Sequence, residues 1–242
     1  MALSNAVKFA LYGLGTVAAV LLGKEIVDLI MGSSSSSSQA EPAPSCSTKY
    51  TSYNHGATRD TSTIRIIVLH ATDPSASDAE PTAESTASWF SQQIPISAGG
   101  PFSAHVVVGE DGCFQTTDDS IIAYGAGSPA NEKGLHIEQA GHSFWTRDQW
   151  LSHDATLRQA GGQVAAWAEQ YGIPLVFLTG DDLQNLAAAG WPEGQGGITT
   201  HAEVSKAWPK ASNHTDPGAN YPIDVLMGYA GATQTSDEEP ST

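Results

Sequence analysis

Thr63-Ile64-Arg65-Ile66-Ile67-Val68-Leu69-His70 decides the fold class of this chain. Its residues are β-branched and apolar with almost no polar alternation, the pattern of a strand covered on both faces. Strands of this kind lie in sheets packed between helices, and Asp73-Pro74 breaks the run shortly afterwards. Working outward, residues 81–93 read as a helix with Trp89 and Phe90 on its apolar side. Residues 104–109 and 113–116 flank Glu110-Asp111-Gly112, which predicts a hairpin. Gly134-Leu135-His136-Ile137-Glu138 reads as another short strand. Residues 147–171 hold the longest helical pattern, with Leu157, Val164 and Trp167 on one buried face and Gly172-Ile173-Pro174 closing it. Residues 174–178 predict a strand, 181–189 a short helix, 198–200 a strand leading into His201, and 221–229 a last helix. Strands interleaved with helices, one hairpin and no internal repeat give an α/β domain with a mixed central β-sheet flanked by helices.

The two ends of the chain differ from its middle. Lys8 precedes an apolar run over residues 9–23, and Lys24 follows it. Residues 1–32 therefore read as a signal peptide or a short signal-anchor, with membrane association through this segment. A buried helix is the ordinary alternative, but the unbroken serines at 33–38 argue for a spacer between modules. Residues 33–60 read as a Ser/Pro-rich linker, 61–230 as one catalytic domain and 231–242 as a disordered acidic tail. A formal net charge of -16 and a pI near 4.6 exclude a nucleic-acid partner, which needs clustered Lys and Arg. The cysteines are two, Cys46 and Cys113, with no CxxC pair, so a cysteine-based zinc finger is excluded. A Cys46–Cys113 disulfide and two free buried thiols both stand open.

Three segments supply metal-ligand chemistry. His70 ends the first strand, where a side chain leaves the sheet for a cleft, and His201 follows Gly197-Ile198-Thr199-Thr200. His214-Thr215-Asp216-Pro217-Gly218 comes next. The residue before a proline is pushed extended, and side chains two apart on an extended chain point the same way, so His214 and Asp216 face one site. Two nitrogen ligands and one oxygen ligand match a catalytic zinc with an open position. A rival set takes His70, His201 and His214, with Asp216 orienting an imidazole, and a third reading makes Asp216 only a turn cap. His105 reads as structural, and His55, His142 and His153 as surface residues.

The order of motifs carries a resemblance. Val68-Leu69-His70-Ala71-Thr72, the stretch Ser103 to Gly112, the stretch Asn131 to Glu138, Thr200-His201-Ala202-Glu203-Val204-Ser205 and His214-Thr215-Asp216-Pro217-Gly218 occur in sequence. Together they resemble the zinc amidase family shared by phage lysozyme-type amidases, bacterial N-acetylmuramoyl-L-alanine amidases and peptidoglycan recognition proteins. That resemblance implies a single domain of amidase/peptidoglycan recognition protein-like fold. It implies Zn2+ on His70, His201 and Asp216, His214 stabilising the tetrahedral intermediate in protonated form, and Glu138 as base. The implied activity is hydrolysis of the amide between N-acetylmuramic acid and L-alanine of bacterial peptidoglycan, by a monomer exported or membrane-anchored at the cell wall.

Departures from the family pattern are also legible. Ala104 stands where some relatives carry a catalytic Tyr. His136 replaces a usual small residue, and period two puts it on the face of Glu138, as a substrate-binding group lining or narrowing the cleft. Tyr124-Gly125 stands in place of a usual aromatic-His pair. The spacing from His201 to Asp216 implies an extra turn around Trp208-Pro209. Trp145 and Trp191 are candidates to stack on sugar rings, while Trp89 reads as core. The competing functions are a non-catalytic peptidoglycan recognition module, which typically lacks a ligand, and a metal hydrolase of another amide. A phage endolysin and a bacterial wall-remodelling enzyme are both compatible with the layout.

Overall fold

The computed structural model describes residues 40–74, 80–95 and 100–232. The expected signal or anchor segment at 1–32 and residues 233–242 of the expected tail lie outside the described residues. Five strands form one sheet: β1 (Ile66–Ala71), β2 (Val106–Gly109), β3 (Gly112–Gln115), β4 (Gly134–Gln139) and β5 (Gly197–Thr200). Their order is β3-β2-β4-β1-β5. β1 is central, parallel to both β4 and β5, and every residue of it is buried. β2 runs parallel to β4, and the β2–β3 hairpin supplies the antiparallel pair that makes the sheet mixed.

Among the described residues seven α-helices cover this sheet: α1 (Ala83–Phe90), α2 (Ala130–Lys133), α3 (Arg147–Ser152), α4 (Asp154–Tyr171), α5 (Gly180–Ala188), α6 (His201–Ala207) and α7 (Ile223–Tyr229). Alternation along the strands sorts them into two layers. Ile67 and Leu69 of β1 and Leu135 and Ile137 of β4 pack with Trp150, Leu157, Val164 and Leu226 from α3, α4 and α7. Ile66 and Val68 pack on the other face with Leu183 and Leu186 of α5 and Val204 of α6. The period that fills both layers sends His70, His136 and Glu138 to the face of α5 and α6.

The continuous helix expected over 147–171 is two helices that meet at His153. Thr146 and Gln149 form a capping box that starts the first, and it ends at His153, whose φ of -99° and ψ of 47° leave the helical region. Gly172, at φ 64°, ends α4 in the left-handed conformation that suits glycine. The strand expected over 174–178 is a single bridge, Phe177 to Ile198, at the β5 edge. Pro174 has no N–H to give a ladder, which limits the pairing.

Residues 40–60 differ most from the expected free linker. Ser47 pairs with Phe114 on the outer side of β3, donating to Cys113 O at 2.8 Å and accepting from Gln115 N at 3.0 Å. Ser52 N donates to Thr116 O at 2.7 Å, and Glu41 N donates to Tyr229 O at 2.7 Å. The segment thus covers the exposed edge of the sheet, whose open N–H and C=O groups would otherwise template pairing with other chains. A Cys46–Cys113 disulfide fixes it there, which settles the open choice between pairing and free thiols. The two half-cystines are 67 residues apart, and closing a loop of that length removes about 4 kcal/mol of chain entropy from the unfolded state. Urea denaturation with and without reductant is expected to show a loss of that order, with the Cys46→Ser/Cys113→Ser variant insensitive to reductant.

Candidate active site

The carboxyl ends of β4, β1 and β5 lie side by side, the place where open parallel sheets collect their chemistry. His70 is next to last in β1 and in register with Glu138 of β4. β5 ends at Thr200, whose hydroxyl caps α6 by accepting the Glu203 N–H at 3.3 Å, so His201 opens that helix beside His70. Asp216 comes from the loop between α6 and α7. Its carbonyl accepts the Ala202 N–H at 2.9 Å and its Oδ2 accepts the Ala71 N–H at 3.4 Å. Gly218, at φ 98°, lets this loop pass against Ser143, whose carbonyl a Cβ would overlap.

The three side chains converge. His70 Nδ1 lies 3.1 Å from His201 Nδ1 and 3.2 Å from Asp216 Oδ2, and His201 Nδ1 lies 3.1 Å from Asp216 Oδ1. Among the described residues this is the group of three buried ligand-type side chains whose ligand atoms fall within 4.8 Å of one another. The spacing is close to the roughly 3.3 Å between corners of a tetrahedron with zinc–ligand bonds of about 2.05 Å. Both outer nitrogens are engaged: His70 Nε2 is 3.0 Å from His136 Nδ1, and His201 Nε2 is 2.7 Å from Ser212 Oγ. With the ring protons on those outer nitrogens, two lone pairs and a carboxylate face one another with no hydrogen between them. Three such acceptors repel unless a cation lies among them, so the residues fit a divalent metal.

His214 sits at the rim. Its Nδ1 is 3.7 Å from Asp216 Oδ1, and its half-exposed ring stacks on His201 with centroids 4.5 Å apart. The rival ligand set with His214 in place of Asp216 is therefore not the one that converges. Glu138 borders the same cleft, with Oε2 buried and lacking a hydrogen-bond partner. The cleft measures about 630 Å³ and takes aromatic surface from Trp89, Phe102 and Tyr124.

A family model described as N-acetylmuramoyl-L-alanine amidase matches residues 60–219, well over half of the chain. The chain belongs to this family. Among solved structures it is similar to the Staphylococcus aureus hydrolase AmiA in complex with its ligand, at 21% identity and a TM-score of 0.55. That match covers 78% of this chain and 82% of the other, and it shows a shared fold. A mutant endolysin from Bacillus subtilis matches at 13% identity and a TM-score of 0.46, over 77% of this chain and 99% of its own. The endolysin N-acetylmuramoyl-L-alanine amidase LysCS from Clostridium intestinale URNW matches at 11% identity and a TM-score of 0.41, over 75% and 95%. No curated protein sequence matches the chain.

Electrostatics in the amidase domain divide the acids. Burial would raise the Asp216 carboxyl, but the His201 and His70 rings against its two oxygens outweigh it and hold the group well below the ordinary carboxylate range. Glu138 goes the other way: burial first, then the charges of Asp216 and Asp73, push it well above that range. Two carboxyls driven apart in this way are suited to different duties. Burial and the neighbouring His201 lower the His214 imidazole, against the protonated form that the resemblance implies.

Several expectations about individual residues change. His136 does not line the cleft; it is fully buried behind His70, because the register that pairs it with Val68 also sets it beneath that ring. Trp89 is 41% exposed on the cleft, while Trp145 is buried against His153 and Trp150, so the core and surface assignments are exchanged. Trp191 packs towards Trp208 and does not border the cleft. His142 is buried under Phe144 and is no surface residue. Ser212, supplied by the extra turn that the spacing implies, holds His201 and is absent from the sequence reading, since a lone serine in a loop gives no signal.

His105 is structural, as expected: its Nδ1 accepts the His136 N–H at 3.0 Å. Burial, then the Arg59 cation, lower it to about 3. An imidazole depressed below its unfolded value near 6.5 leaves the unfolded chain binding more protons, so its contribution is intact above pH 6.5 and is lost between 6.5 and 3. Urea denaturation over this window is expected to show His105→Asn with a shallower loss of stability than the parent, by about 1.4 kcal/mol per pH unit.

Proposed function

We propose that this family member is a zinc-dependent N-acetylmuramoyl-L-alanine amidase of bacterial peptidoglycan, with His70, His201 and Asp216 as ligands, Glu138 as base and His214 as hydrogen-bond donor to the oxyanion. The observation that carries the reading is the meeting of two imidazole nitrogens and a carboxylate at 3.1–3.2 Å. Zinc held there supplies Lewis acidity to the scissile carbonyl and to the attacking water. Glu138 takes the proton of that water and delivers it to the leaving nitrogen. Its depressed acidity matches a group that must hold a proton between the two steps. His214, at the rim, turns a ring N–H to the oxygen on which negative charge develops. A full ligand set with a buried base favours hydrolysis over recognition alone, the alternative reading of this fold.

The same reading places the enzyme outside the cytoplasm, as a monomer delivered by residues 1–32 as signal or anchor. A disulfide between Cys46 and Cys113 supports export, because such bonds persist in oxidising compartments. Of the two roles considered, we favour the phage endolysin, on the compact single-domain layout of residues 61–230.

Purified protein with one equivalent of zinc is expected to release peptides with new N-terminal L-alanine from wall sacculi, to lose this activity to a chelator and to regain it with zinc. Absence of new L-alanine termini at full zinc occupancy would falsify the proposal. Glu138→Gln is expected to keep zinc and lose roughly a hundredfold or more in turnover. For His214→Ala the expected loss is on the order of a hundredfold in turnover, with zinc affinity close to that of the parent.

A further inference from the structure

Five imidazoles run in a line from the core to the rim: His105, His136, His70, His201 and His214, with successive ring centroids 5.7, 5.3, 4.7 and 4.5 Å apart. The second has no part in the mechanism above, yet it is fully buried. His105 stacks on His136 at 8° between planes and also accepts its backbone N–H at 3.0 Å. The Gly125 backbone lies on the ring edge, where a Cβ would overlap Nδ1 and stand 2.8 Å from Cγ and 3.0 Å from Cε1. Gly134 closes the far end, with a Cβ position 3.3 Å from Nε2. Held on these sides, His136 keeps Nδ1 3.0 Å from His70 Nε2.

Its other nitrogen, Nε2, is buried and has no partner. An unpaired polar atom in the core destabilises the fold, and an apolar side chain would fill this space without it. The compensation lies at Nδ1. For His70 to offer a lone pair from Nδ1, its ring proton must sit on Nε2, and that buried N–H needs an acceptor. His136 Nδ1 is the acceptor in reach, which leaves the His136 proton on Nε2.

We propose that His136 is a positioning residue that accepts the His70 Nε2–H and so fixes the tautomer and ring angle that turn His70 Nδ1 to the metal. The inference rests on the ligand role of His70 and adds what orients that ligand. Partners of this kind on metal-bound histidines typically change metal affinity by roughly 10–100-fold.

Zinc affinity measured by competition with a chromophoric chelator tests it. His136→Leu is expected to bind zinc roughly 10–100-fold more weakly than the parent, and His136→Asn, with an amide oxygen near the Nδ1 position, within about threefold of it. Gly125→Ala, which displaces the ring without changing it, is expected to weaken binding as His136→Leu does. In the zinc-loaded parent, 15N spectra of the imidazoles are expected to show His70 and His136 both protonated on Nε2. Parent-like affinity in His136→Leu, or a proton on His136 Nδ1, overturns the proposal. Should His136→Leu fail to fold, equal affinities for His136→Asn and Gly125→Ala overturn it instead. A parent that binds no zinc would instead sink the metal reading itself, a result distinct from either.

Discussion

Like polarity forced together governs this structure. Two imidazole nitrogens and a carboxylate share one small space, 3.1–3.2 Å from one another. Every neighbouring element serves to keep them there. β1 is buried on both faces, which leaves His70 no freedom to retreat; the Thr200 cap fixes where α6 begins and hence where His201 stands. The Asp216 loop is pinned at both the carbonyl and the carboxylate. A site of this kind cannot be held by one element, because each would move away from the others. It needs a rigid sheet beneath it, and the two apolar layers provide that rigidity.

Much of this was legible in the residues. The run from Ile66 to Leu69 announces a doubly covered strand because its apolar content leaves no solvent face. Glu110-Asp111-Gly112 announces the hairpin because few residues turn so tightly. His70, His201 and Asp216 could be grouped because each stands at a strand end, a helix start or before a proline, positions whose local geometry is known. What stayed hidden depends on through-space neighbours. Period two correctly put His136 on the face of Glu138 but could not say that the Gly125 segment covers it. Trp89 and Trp145 are equally apolar as letters, and only packing decides that one meets solvent and the other His153. Residues 40–60 look like spacer in composition, yet their backbone amides complete the β3 edge, an interaction with no side-chain signature.

The acidity of the chain and the neutrality of its site are separate matters. The chain carries a net charge of -16, whereas His105 and His136 are buried imidazoles lowered first by desolvation, then by Arg59 for the one and by His70 and His105 for the other. Glu138, on the cleft wall, is part-buried with Oε2 enclosed. A buried carboxyl without a partner on one oxygen is a poor structural element and a good proton carrier.

Gly125 and His136 have been described as two separate departures from the family pattern, and their contact makes them one. A side chain at 125 and the ring at 136 would claim the same volume behind His70. Exchange at either position alone would leave a void or a collision, so the two sites are expected to change in tandem through the lineage, as a steric couple with complementary occupancy.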